Sequence, residues 1–193
     1  LPNPHVGVLV DDDTVLDLAA LKVVLPIANL VPNSMREILE AGDAGIEAVA
    51  HCQAQVDSMA ADEKLILAEA GIISPLEELP LLAPVPNPKL ILSVGLNYWK
   101  HLEEMEGTPT PKHPAAFMKT RDSLSGSGSP IIAPPQCPNM IDYEGELCFV
   151  IGRQCHNVSA EEAMDYVAGY TIANDVSARN WVGEVFASDG TFP

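Results

Sequence analysis

Short apolar runs at Val6–Val10 and Val15–Leu18, separated by Asp11-Asp12-Asp13, predict a strand–turn–strand opening. Two helical stretches come next. Ser34, with Glu37 three residues on, forms a capping box that opens a helix running through Glu40. From residue 46 to 60, Ile46, Val49, Ala50, Gln53 and Val56 recur on one helical face, so a second helix is expected there with that stripe inward. Prolines at 80, 84, 86 and 88 then exclude helix and predict an extended connector. This places a boundary near residue 85, with a small domain over 1–85 and a second over 86–193. No internal repeat is visible.

Past the connector, Leu90–Val94 reads as a strand ended by Gly95-Leu96-Asn97-Tyr98, followed by a short helix over Trp99–Met105 and a strand over Ala115–Lys119. Ser123–Pro130 is a turn-rich loop. It lacks the Gly-Lys-Ser/Thr ending and following helix of a phosphate loop. The strongest strand pattern is Ile141–Ile151. Alternation assigns Ile141, Tyr143, Gly145, Leu147, Phe149 and Ile151 to a core face, and Asp142, Glu144, Glu146, Cys148 and Val150 to the other. Ser159 and Glu162 form another capping box, predicting a helix to Asp165. Tyr166–Ala173 is then a strand ending at Asn174-Asp175.

Composition narrows the function classes. Of 193 residues 47% are apolar and 19% charged, too hydrophobic a balance for a disordered polyanion. A net charge of −17 repels nucleic acid and anionic membrane surfaces, so neither is an expected partner. It also repels a small anionic substrate unless a cation reverses the local field. Cys52, Cys137, Cys148 and Cys155 contain no CxxC pair, which fits free thiols in a reducing cytoplasm rather than a disulfide scaffold or zinc site. No signal peptide or membrane-length apolar run is apparent. The chain opens on Leu1 and stops at Pro193, and both ends read as cut.

The candidate chemistry lies in the carboxylates. Glu144 and Glu146, two apart on a strand, point to one side about 6.5–7 Å apart along the backbone. Like charges so placed repel unless a cation lies between them. A solvated surface strand would tolerate the same pair. The strand becomes apolar beyond Glu146, however, which favours a hard-cation site of Mg²⁺, Mn²⁺ or Ca²⁺ type. Asp175 is the candidate third carboxylate, although an Asp at a strand end also serves as a turn former. His101 and Glu104, three apart on a helix, share a face and offer a base for water activation. Lys119, Arg121 and Arg179 are candidates for a substrate carboxylate or for surface or structural ion pairs. Asn174 is expected to orient the loop carrying Asp175.

The segments Val94–Glu104 (VGLNYWKHLEE), Phe117-Met118-Lys119, Ile141–Leu147 (IDYEGEL) and Ala173–Arg179 (ANDVSAR) resemble, in order and spacing, the fumarylacetoacetate hydrolase family. The resemblance implies an α+β fold: a mixed β-roll or sandwich behind a small N-terminal α+β domain, paired as a homodimer. It implies Mg²⁺, with Mn²⁺ or Ca²⁺ as alternatives, on Glu144, Glu146 and Asp175. It further implies a His101–Glu104 dyad on a lid, with Tyr98 and Lys119 toward the substrate. The implied activity is C–C bond hydrolysis of a 2,4-dioxo acid of acylpyruvate or fumarylpyruvate type. The alternatives are decarboxylation or isomerisation of a 2-oxo acid on the same site, or a non-catalytic module. Family members continue past the ANDVSAR segment into a Lys and Gly-Pro stretch and closing strands. Here Trp181–Pro193 stands in that place instead, so a C-terminal truncation is expected.

Overall fold

In a computed structural model of the chain, residues 4–105, 107, 109–136 and 139–182 are described. Cys137 and the stretch 183–193 lie outside them. The fold is α+β. One compact unit takes in the described residues up to Leu79 and from Ser129 onward, and a second comprises Pro80–Gly128.

The N-terminal segment is a three-stranded antiparallel sheet, order β1-β2-β3, of β1 (Gly7–Leu9), β2 (Thr14–Asp17) and β3 (Ile73–Pro75), with four α-helices and a 3-10 helix (Pro26–Leu30) in the chain between β2 and β3. Asp11 makes the first turn by accepting from the backbone N–H groups of Asp13 and Thr14 at 2.9 and 2.7 Å. A hydrogen bond with the Thr14 side chain chiefly, then the one from the Asp13 backbone, holds its carboxyl below the ordinary range against some desolvation. Asp17 ends β2 and caps α1 (Leu18–Leu21) through Ala19 and Ala20 N–H. The box at Ser34 and Glu37 opens α2 (Met35–Glu40) as the sequence predicts.

The next helix, α3, spans Asp43–Asp57, three residues earlier than expected; of the expected stripe Val56 is buried and Val49 packs against the core, but the rest of the buried side is different. Gly45, Ala48, Cys52 and Val56 face the core, whereas Ile46 is 53% exposed. The cause is close helix approach. Gly42 adopts φ 62° to turn the chain after α2, and Gly45 then lies against α2 so tightly that a Cβ would collide with the carbonyl oxygen of Ile38. Small residues therefore go inward. The structure also adds α4 (Ala61–Glu69) and β3, which the sequence pattern does not predict. The helix carries no Ser, Thr, Asn or Asp at its cap, only Glu63 reaching back to the Ala60 N–H at 2.9 Å.

The core centres on Leu16, Leu18, Leu21, Ala28, Val31, Ile38, Cys52 and Val56, each 2% exposed or less. Burial pushes the Cys52 thiol up in pKa, a change that Lys22 partly opposes. Leu16 is wholly buried on the central strand β2, so Leu16→Ala is expected to cost about 2–5 kcal/mol of unfolding free energy. Urea unfolding checks this; a loss under about 1 kcal/mol would mean the site collapses around the smaller side chain.

In the 80–128 unit, β4 (Ile91–Gly95) pairs antiparallel with β5 (Ala115–Lys119), and α5 (Trp99–Glu104) lies between them in sequence. The proline-rich stretch is irregular, as expected. Further on, the single strand expected over Ile141–Ile151 is two: β6 (Ile141–Asp142), paired with β9 (Ser177–Ala178), and β7 (Gly145–Ile151), paired with β8 (Val167–Asn174). The face assignment is reversed as well. Tyr143, Leu147, Phe149 and Ile151 are 50–79% exposed, while Glu144, Glu146, Cys148 and Val150 are half-buried. Among the described residues β7 pairs only with β8, and no layer covers the side carrying Leu147 and Phe149. The box at Ser159 and Glu162 forms, but its helix shrinks to a 3-10 turn at Ala163–Tyr166 because the chain enters β8 directly afterwards. Cys52, Cys148 and Cys155 are free thiols. No helix among the described residues is long and apolar enough to cross a membrane.

Candidate metal centre

The carboxylates meet where two ladders break at the same level. After Asp142 the chain leaves β6, and after Asn174 it leaves β8. The gap is bridged by the Asp175 N–H donating to the Glu144 carbonyl at 2.8 Å. The Glu144 N–H in turn donates to Asn174 Oδ1 at 3.0 Å. Asn174 thus fixes the backbone of Glu144, rather than the Asp175 loop that adjacency alone suggests. The register then sets Gly145 opposite Asn174 and Glu146 opposite Ala173. Glu144, Glu146 and Asp175 come together with one carboxylate oxygen from each within 4.8 Å of the others.

Glu144 and Glu146 are half-buried and Asp175 is 7% exposed, with both its oxygens shut off from solvent. At an effective dielectric near 20, two unit charges at that distance repel by about 3 kcal/mol. Folding such a trio together is unfavourable unless positive charge offsets it. An all-oxygen donor set with one buried member suits a hard divalent cation rather than zinc or copper. The residues therefore fit the implied ion.

One positive group is built into the chain. Arg179 Nε donates to Asp142 Oδ2 at 2.8 Å, and its Nη2 to Glu144 Oε1 at 2.5 Å. The hydrogen bond that Arg179 donates to Asp142 chiefly, with Glu144 adding to it, raises the guanidinium pKa against some desolvation. Arg179 is thus committed to two carboxylates, the ion-pair alternative for it, with partners that the sequence pattern does not name. The available signal is its position four residues after Asp175 in the segment Asn174–Arg179.

In the other unit, Tyr98 precedes α5 and is 43% exposed. On that helix His101 Nδ1 lies 3.9 Å from Glu104 Oε2, within ion-pair range but beyond a hydrogen bond, and Glu104 is 77% exposed. Lys119, at the end of β5, sets its ammonium 5.8 Å from the Phe117 ring centroid, a cation–π contact. Arg121 starts a 3-10 turn at Arg121–Ser123. A cavity of about 290 Å³ is lined by Leu96, Trp99, Leu102, Lys112 and His113 among others. Leu96 turns the chain from β4 toward α5 at φ 55°, an unusual conformation for a bulky residue.

Residues 90–188 match the family model described as "Fumarylacetoacetate (FAA) hydrolase C-terminal". The mitochondrial oxaloacetate tautomerase fahd2 of Xenopus laevis is 38% identical over 181 residues, covering 93% of this chain and 50% of that protein. The oxaloacetate tautomerase YisK of Bacillus subtilis is 35% identical over 178 residues, covering 91% and 57% respectively. Among solved structures, maleylpyruvate hydrolase from Sphingobium sp. SYK-6, in complex with manganese(II) and pyruvate, superimposes with a TM-score of 0.60. It is 25% identical, with 91% of this chain and 56% of that one covered. The chain spans about half the length of the curated relatives it matches.

Proposed function

The chain belongs to the fumarylacetoacetate hydrolase family, and from that premise we propose that it works as a divalent-cation-dependent enzyme on a small anionic 2-oxo acid, interconverting keto and enol forms of oxaloacetate type. The observation that carries this is the convergence of Glu144, Glu146 and Asp175. These three would hold the ion, with Mg²⁺ or Mn²⁺ the expected occupant. When bound, it would supply Lewis-acid polarisation of an oxo group and offset the repulsion between a strongly acidic protein and an anionic substrate.

The chain's own residues supply the rest. In tautomerisation a proton leaves the carbon next to the oxo group and one is returned to oxygen, with no bond broken between carbons. We assign that transfer to His101, with Glu104 as its partner, and contact with the substrate to Tyr98 and Lys119. The two tautomerase relatives favour this reading over the C–C hydrolysis that the sequence resemblance puts first. Hydrolysis of a 2,4-dioxo acid is the second reading, favoured by the maleylpyruvate hydrolase similarity. There His101 would deprotonate water instead of carbon. The division into domains near residue 85 and assembly as a homodimer belong to the same proposal. So does a cytoplasmic location, although the Xenopus relative is mitochondrial by name.

The two reactions differ in product. With Mg²⁺ present, the protein is expected to speed decay of the enol absorbance of oxaloacetate at least tenfold over Mg²⁺ alone, without releasing pyruvate from an acylpyruvate. Pyruvate release with no effect on the enol would select the hydrolase. Neither effect, in a protein shown to bind Mn²⁺, would sink the proposal.

A further inference from the structure

We propose that Arg179 is a positioning residue of the carboxylate centre: it clamps Glu144 by one oxygen, is itself anchored and neutralised by Asp142, and so sets the affinity for the cation. This role rests on the proposed cation site and gives it a residue outside the ligand set.

The backbone supplies the frame. The β6–β9 ladder registers Ile141 against Ala178 and Asp142 against Ser177. The Arg179 N–H then donates to the Met140 carbonyl at 2.9 Å. These bonds place the Cα of Arg179 and that of Asp142 on one short, fixed frame, and Glu144 lies only two residues beyond it. Arg179 uses Nε on Asp142 and Nη2 on Glu144, so a single planar guanidinium ties the frame to a ligand side chain. Its contact to Glu144 is through Oε1. A carboxylate gripped by one oxygen keeps a set orientation and still has its other oxygen to offer.

Two effects of opposite sign then compete. A guanidinium beside a cation site repels the cation, so losing it would tighten binding. A hydrogen bond that fixes a ligand reduces the ordering needed on binding, so losing it would weaken binding; such partners typically matter by about 10–100-fold in metal affinity. The Asp142 contact decides between them. With Asp142 at 2.8 Å, Arg179 is one half of an ion pair, and its field on a neighbouring cation is that of a dipole rather than a full charge. Orientation is the larger effect.

The test is Mn²⁺ titration of the protein and of Arg179→Ala and Arg179→Lys, by calorimetry or by the free-Mn²⁺ paramagnetic signal. Circular dichroism alongside establishes that each variant is folded. Arg179→Ala is expected to raise the Mn²⁺ Kd about 10–100-fold. Arg179→Lys, which keeps the charge but loses the planar fork, should fall between the two. A Kd for Arg179→Ala equal to or below that of the parent overturns the inference, because a purely structural ion pair would leave Mn²⁺ binding unmoved and a simple electrostatic one would tighten it. If Arg179→Ala does not fold, parental affinity in Arg179→Lys overturns it equally. Failure of the parent itself to bind Mn²⁺ is a different result, and removes the cation site on which the clamp depends.

Discussion

Asp175→Asn is expected to weaken divalent-ion binding by at least about 100-fold and to take turnover down with it, while leaving the metal-free fold standing. The substitution keeps the shape of a side chain that is only 7% exposed and removes its charge. Asp175 is the buried corner of a trio within 4.8 Å, so its charge acts in the least screened position of the three. The backbone bonds that shape the break, Asp175 N–H to the Glu144 carbonyl and Glu144 N–H to Asn174, do not use the Asp175 carboxylate and remain. Thermal unfolding separates the two consequences. An ion at about 100 times its Kd adds about 2.7 kcal/mol to the parent by mass action. The variant should gain almost nothing from the same addition. If Mn²⁺ stabilises Asp175→Asn as strongly as the parent, the centre lies elsewhere. Glu146→Gln should behave alike. Glu144→Gln would combine loss of a ligand charge with loss of the Arg179 ion pair, and is the less clean probe.

Whether a feature is legible in the chain alone depends on how far away its determinants lie. Capping boxes are local chemistry, and those at Ser34 and Ser159 both form. The length of helix after a box is set by more distant demands. After Ser34, α2 continues for six residues, whereas after Ser159 the entry into β8 leaves a single 3-10 turn. Apolar periodicity places the α3 stripe only in part, at Val49 and Val56, because apolar size is a poor guide where two helices touch. There the small Gly45 and Ala48 are inside and Ile46 is out. The spacing of Glu144, Glu146 and Asp175 points to a cation site, and the structure brings the three together. It does so by breaking the strand at Tyr143-Glu144, which alternation over Ile141–Ile151 conceals, since both halves keep the same period. Arg179 is harder still. Its partners Asp142 and Glu144 lie 37 and 35 positions away in sequence, so its own neighbourhood, four residues after Asp175, leaves an ion pair open without naming either partner.

His101→Ala carries the other large expectation: a fall in kcat of about 10²–10⁴-fold, the usual contribution of a positioned acid–base group, with the Mn²⁺ Kd unchanged. The geometry of the dyad bears on how the partner should behave. At 3.9 Å His101 and Glu104 are not hydrogen-bonded, and such contacts often tighten only when substrate arrives. Glu104→Gln is therefore expected to cost less than His101→Ala, with kcat at a single pH as the readout. The substrate's own carbon reports which reaction is served. In deuterated water a tautomerase washes deuterium into the methylene carbon of oxaloacetate, and His101→Ala should slow that exchange in proportion to kcat. A hydrolase whose histidine works only on water would lose acylpyruvate cleavage and leave the exchange on oxaloacetate untouched. Undiminished turnover in His101→Ala would assign the proton transfer to another group of the chain while the carboxylate centre stands unaffected, since the one is tested by rate and the other by ion affinity.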